Sequence, residues 1–247
     1  MTRTLLASTA LMLGLATAAQ AVDISFQNGI YPDVSYAGVQ STFVRADNAN
    51  SNYNNYDSGN RFITGTTGNA TNPQIRSLLS FDLSTLPDAA VIESVTLTLR
   101  SYGADGTSQN QSIQIDLMAM TESFDQTTAT WNTSGTDYAS TVLSSHSINP
   151  TIASGFQTWG STTDFVAAVQ SAVDGSGILN LMLKLPDGVE TAGNRDIFFF
   201  YSDSYSTNQS YTPELSITYT IPEPATLSLG FGLGVGLLIL LRRRARR

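Results

Sequence analysis

Cysteine is absent from the 247 residues, and histidine occurs once, at His146. The first absence excludes disulfides, thiolate metal sites and cysteine nucleophiles together. The second leaves a Ser-His-Asp triad or a histidine-rich metal site resting on one residue in a Ser/Asn-rich stretch, and no nucleophile-elbow motif surrounds a serine. Basic residues are scarce as well. Arg3 lies near the N-terminus and five arginines end the chain, leaving Arg45, Arg61, Arg76, Arg100, Lys184 and Arg195 between them. Those six face 19 acidic residues from Asp23 to Glu214, a net −13 where the whole chain carries −8. Such a body argues against a nucleic-acid partner, because phosphate binding needs a basic footprint. Divalent cations and neutral glycans are easier to accommodate. Long-range attraction to an acidic polysaccharide requires the few arginines to cluster.

Both ends are organised for export. Arg3 precedes an apolar stretch from Leu5 to Ala18, then Ala19-Gln20-Ala21, which fits the small-x-small rule of signal peptidase. Cleavage is expected after Ala21, giving a signal peptide over 1–21. A retained anchor helix is the alternative, disfavoured by the short apolar core and the immediate cleavage site. At the other end an uncharged apolar run from Ala225 to Leu241 is followed by Arg242-Arg243-Arg244-Ala245-Arg246-Arg247. At about 1.5 Å per residue the run spans roughly 25 Å, enough for a short transmembrane helix over 225–241. The Arg-rich tail, 242–247, stays cytoplasmic, so the preceding body faces outward.

Pro222-Glu223-Pro224, the single hydrophobic segment and the terminal arginine cluster resemble, in order, a PEP-CTERM sorting signal over 221–247. The resemblance implies that an exosortase, a membrane-embedded cysteine protease, recognises the Pro-Glu-Pro motif and processes the protein. It also implies a Gram-negative host that makes exopolysaccharide. The body would then be periplasmic and held at the inner membrane before processing, and at the cell surface or outside the cell afterwards.

Residues 22–220 read as one domain whose apolar residues alternate with a period of two. Val95, Leu97 and Leu99 alternate with Thr96, Thr98 and Arg100; Ile113, Ile115 and Leu117 with Gln114, Asp116 and Met118. Leu179, Leu181, Leu183 and Leu185 do the same, as do Leu215, Ile217 and Tyr219. Each run predicts a strand with one buried and one wet face. Ile197–Tyr201 is apolar on both faces and predicts a strand covered on both sides. Asp105-Gly106, Pro186-Asp187-Gly188 and Asp174-Gly175 mark turns. One helix is expected where Phe165, Val166, Val169 and Val173 share a face, with Thr162 or Thr163 at its start and Gly175 at its end. The fold class is therefore all-β, an antiparallel jelly-roll sandwich with one short helix.

Short stretches of this body resemble the DNRLRE-type domains, which are similar to alginate-binding carbohydrate-binding modules. They are Ser41-Thr42-Phe43-Val44-Arg45 with Asn52-Tyr53, Arg76 through Ser84 leading into Leu86-Pro87, Thr130-Trp131-Asn132, and Pro213 through Tyr219. Ser41 departs from the pattern, where the family more often has Asp, and the namesake hexapeptide is absent. The resemblance implies a jelly-roll sandwich and a glycan-facing function.

Sugar recognition combines exposed aromatic faces with hydrogen-bonding side chains. Tyr53, Tyr56 and Arg61 lie in or beside a long polar loop over 47–60, and Tyr201 and Tyr205 flank Asp203. Asp47, Asn48, Asn50, Asn52 and Asp57 offer hard oxygen ligands for a structural calcium, without EF-hand spacing. No other cofactor is required. The leading expectation is a non-catalytic protein that binds or organises extracellular polysaccharide. Alternatives are a glycoside hydrolase or lyase using paired carboxylates, and a structural or adhesive matrix protein without a defined ligand.

Overall fold

The computed structural model describes residues 20–69, 71–106, 111–149, 154–191 and 194–222. The expected signal peptide up to 19, Glu223, Pro224, the apolar run and the arginine tail lie outside the described residues. Among the described residues no helix is long and apolar enough to cross a membrane. Ala21–Thr220 forms a compact unit.

The unit is all-β and antiparallel. Its strands are β1 (Ala21–Phe26), β2 (Val39–Arg45), β3 (Arg61–Thr67), β4 (Gln74–Asp82), β5 (Val91–Gly106), β6 (Ile113–Met120), β7 (Tyr138–Ile148), β8 (Gly155–Trp159), β9 (Ile178–Lys184), β10 (Arg195–Tyr201) and β11 (Glu214–Thr220). The path β1-β11-β5-β10-β3-β4-β9-β6-β7 is continuous, with β2 added on β4 and β8 on β5. It curls because β3 and β4 pair only through Gly65↔Ile75 and Thr66↔Gln74. That corner needs glycine: Gly65 has φ +149°, and a Cβ there would sit 1.9 Å from the Asp196 carbonyl oxygen. Two leaves result. The first leaf holds β1, β11, β5, β8, β10 and β3; the second holds β2, β4, β9, β6 and β7.

The two inner faces share one apolar cluster. Leu97 and Leu99 of β5, Phe198 and Phe200 of β10, and Trp159 of β8 meet Leu79 and Phe81 of β4 and Leu181 and Leu183 of β9. The Trp159 Nε1–H donates to the Ile115 carbonyl at 2.9 Å, so the indole's one polar group is satisfied across the leaves. The expected alternation is realised in β5, where Val95, Leu97 and Leu99 are buried and Thr96, Thr98 and Arg100 are not. In β10 Phe198 and Phe200 are fully enclosed on the inner face, whereas on the outer face Ile197 is buried and Phe199 and Tyr201 stay partly exposed, so the expected cover on both sides is only partial.

The helix α2 (Thr163–Asp174) starts at an N-cap Thr162 whose hydroxyl accepts from the Phe165 N–H at 3.0 Å, and Gly175 ends it. Phe165 and Val169 are its buried face. Two single turns were not expected: α1 (Trp131–Ser134) and α3 (Asp187–Glu190), the latter at the predicted Pro186-Asp187-Gly188 turn.

The outer face of the second leaf overturns the one-wet-face expectation. Met118 of β6 and Met182 of β9 pack with Val44 and Leu78 under Ala129, Phe124, Trp131 and Tyr138. Asp116, Lys184 and Arg76 are buried on the same side. The reason is a lid: residues 121–137 and α3 fold over this face. Arg76 lies 4.9 Å from the ring centres of both Trp131 and Tyr138. Its guanidinium donates twice to Glu190, at 3.1 and 2.7 Å, and once to the Gly135 carbonyl at 2.6 Å. A buried guanidinium tolerates this site because its charge and donors are matched.

Candidate functional site

Among the described residues no such lid covers the outer face of the first leaf. Arg100 and Tyr102 point out from β5, Phe156 from β8 opposite Arg100, and Tyr201 from β10 opposite Arg61. A bulge sets Tyr102: Phe199 pairs with Gly103 and Phe200 with Ser101, so Tyr102 opposes no residue and stands outward, 52% exposed. Phe156 is 54% exposed. A single turn over Gln209–Tyr211, whose Ser210 N–H is accepted by the Asn208 side chain, brings Tyr211 against the strands.

These rings form a continuous strip. Ring centres are 5.8 Å apart for Tyr102–Tyr201, 4.4 Å for Tyr201–Tyr205, 5.3 Å for Tyr201–Tyr211 and 6.2 Å for Tyr211–Phe156. Arg61 lies 4.5 Å over Tyr102 at one end. Arg100 lies 4.9 Å from both Phe156 and Tyr211 at the other. Burial, then the neighbouring tyrosines, raise the Tyr201 hydroxyl above its ordinary pKa, so it stays a neutral donor and acceptor.

Two supports hold the Tyr205 and Arg61 end. The Asp203 carboxylate accepts from the Ser41 N–H at 3.0 Å and the Ser41 hydroxyl at 2.6 Å, and its own N–H donates back to that hydroxyl at 2.9 Å. Burial pushes the Asp203 carboxyl above the usual range, against those hydrogen bonds. Asp57 and Ser58 are left-handed, φ 49° and 60°, conformations costly for non-glycine residues. That turn delivers the Asp57 carboxylate to Arg61 Nε at 2.5 Å, and the contact holds the Asp57 pKa low.

The five sugar-site residues read from sequence divide. Arg61, Tyr201 and Tyr205 lie on the strip. Tyr53 stacks on buried Phe43 at 4.6 Å and Tyr56 meets the same ring edge-on at 5.2 Å; among the described residues neither makes a ring contact with the strip. Arg100, Tyr102, Phe156 and Tyr211 were missed, although Tyr102 continues the wet phase of β5 through Thr98 and Arg100.

The loop residues offered for calcium are engaged within the protein. Asp47 is paired with Arg45 and Asp57 with Arg61. Asn48 donates to the Tyr53 hydroxyl, Asn50 accepts from Asn132, and Asn52 donates to the Gln126 and Ala129 carbonyls. Among the described residues no three or more His, Cys, Asp or Glu side chains gather as a metal site. His146 faces Gln157 Oε1 at 2.8 Å and the Trp159 ring at 5.4 Å.

An antiparallel all-β unit with an exposed, ring-lined sheet face has the build of a sugar-binding module. The model of carbohydrate-binding module family 96 matches residues 32–219, and the chain belongs to that family. No curated protein matches it. Among solved structures, the K1 cleaved adhesin domain of Lys-gingipain from Porphyromonas gingivalis shares 13% identity, with 83% of this chain and 99% of that one covered, at a TM-score of 0.21. The family 11 carbohydrate-binding module of a Clostridium thermocellum cellulosomal cellulase shares 12%, with 84% and 90% covered, at 0.16. Values this low bear on neither fold nor ligand.

Proposed function

We infer that this is an exported protein whose jelly-roll body binds extracellular polysaccharide on the outer face of the first leaf, without cleaving it. The observation that carries the reading is the uninterrupted run of ring contacts from Arg61 through Tyr102, Tyr201 and Tyr211 to Phe156 on an unlidded sheet face. Exposed rings stack on the apolar C–H faces of sugars, while tyrosine hydroxyls and guanidinium N–H groups bond the sugar oxygens. Family membership supports carbohydrate as the ligand class. The two chain ends support the route: signal peptidase removes the leader, and an exosortase acts at Pro222-Glu223-Pro224.

A glycan array with the full chain in mild detergent tests the binding, alongside a Tyr201→Ala variant. Binding that the variant weakens is the expected result. No binding to any bacterial polysaccharide, with the variant indistinguishable from the parent, overturns it. Mass spectrometry of the exported protein, with and without a functional exosortase, tests the route; identical C-termini in both strains would refute processing.

A further inference from the structure

The strip does not end at Phe156. That ring also lines an open cleft of about 390 Å³ with Gln27, Tyr31, Thr98, Ser210 and Glu214. A second cleft of about 340 Å³ shares Tyr31 and Glu214 and adds Asp23, Ser25 and Pro32. The outer face is thus one track with a change of charge along it.

At the strip end, Arg100 differs from every other cation of the body. Arg45, Arg61, Arg76, Lys184 and Arg195 each hold a carboxylate of the chain. Among the described residues Arg100 holds none, and its buried Nε has no hydrogen-bond partner. A half-buried guanidinium held between two rings, with no carboxylate of the described chain against it, is suited to receive an anion. At the cleft end the sign reverses. Neither cleft is lined by an arginine or lysine. The Asp23 carboxylate accepts a hydroxyl bond from Thr218 and the Glu214 carboxylate one from Ser216, and among the described residues neither is paired with an arginine or lysine of the chain. A sugar carboxylate placed there meets like charges, whereas the hydroxyls of a neutral sugar donate to them in charge-assisted bonds.

We propose that the face binds an internal stretch of a heteropolysaccharide in which acidic and neutral sugars alternate, an acidic sugar at Arg100 and neutral ones in the cleft beyond Phe156. The proposal rests on the glycan-binding reading above. A polymer acidic at every unit fits the strip and is rejected by the cleft. Glu214 is then a specificity residue, acting by exclusion.

The test is titration calorimetry on the full chain with three ladders, disaccharide to octasaccharide: hyaluronan fragments (uronate alternating with N-acetylglucosamine), oligoalginates (every unit a uronate) and neutral cello-oligosaccharides. Affinity for the alternating ladder is expected to rise about tenfold beyond the tetrasaccharide, while the all-acidic ladder levels off. Glu214→Gln should lift the long oligoalginates alone, and Tyr31→Ala should cost only long alternating chains. The proposal is overturned if both charged ladders share one length dependence, if Glu214→Gln acts equally at every length, or if the neutral ladder binds as tightly as the alternating one. Those results leave glycan binding standing. Silence from all three ladders, unaltered by Tyr201→Ala, removes both.

Discussion

Arg76 and Arg100 occupy equivalent settings on the outer faces of the two leaves. Each guanidinium lies 4.9 Å from two aromatic ring centres, Trp131 and Tyr138 in one case, Phe156 and Tyr211 in the other. At Arg76 the chain adds Glu190 and the Gly135 carbonyl, and residues 121–137 close over the site. At Arg100 no described carboxylate arrives and Phe156 stays half exposed. The same chemistry is therefore closed inside the protein on one leaf and stays partly exposed on the other. What separates them is the presence of a lid.

The comparison makes opposite demands on the two arginines. Arg76→Ala should be the most damaging change in the body: it strands the buried Glu190 carboxylate beside Lys184, and breaking a buried pair costs about 3–5 kcal/mol. Thermal melting should show it, with Glu190→Ala following closely. Were Arg76→Ala to melt like the parent, the lid would not depend on this ion pair. Arg100→Ala should instead leave the melting temperature nearly unchanged and act on ligand. Tyr201→Ala should behave likewise, losing roughly three- to tenfold in glycan affinity, since one ring contact is worth about 0.5–1.5 kcal/mol. Calorimetry against the best array ligand measures both. A melting loss as large as that of Arg76→Ala would erase the distinction between the leaves.

How much of this was legible depends on which leaf is considered. Val95-Leu97-Leu99 and Leu215-Ile217-Tyr219 announce their strands because one face is apolar and the other faces water, which is the case on the first leaf. Thr162 and Gly175 mark the helix for equally local reasons. Asp116 and Lys184 read as wet-face residues because the segment burying them lies elsewhere in the sequence, and period-two reasoning has no term for a lid. The residues offered for sugar binding divide for a related reason. Tyr201 and Tyr205 stand close to each other in the chain, whereas Phe156 and Tyr102 join them only through strand pairing and a bulge. Tyr53 and Tyr56 sit in a polar loop yet are drawn onto Phe43, because a ring gains more from a buried neighbour than from water.

Smaller effects probe the supports of the strip. Addition of calcium or a chelator should leave the melting temperature unchanged, as Asp47 and Asp57 already carry arginine partners; a calcium-dependent rise would restore the loop as a metal site. Asp203 gives a pH dependence tied to the strip. Its folded pKa lies above the unfolded value because burial penalises the carboxylate more than Ser41 rewards it. The stability this provides is complete below the unfolded pKa and is lost as pH rises through the folded one. Asp203→Asn keeps an oxygen to accept from Ser41 and carries no charge to bury. It should therefore flatten the melting profile above the ordinary carboxylate range, and melt higher than the parent at neutral pH. Because Asp203 stands two residues from Tyr205, glycan affinity should be unaffected if the Ser41 contacts survive, and a parallel loss of affinity would show that the charge itself fixes the end of the strip.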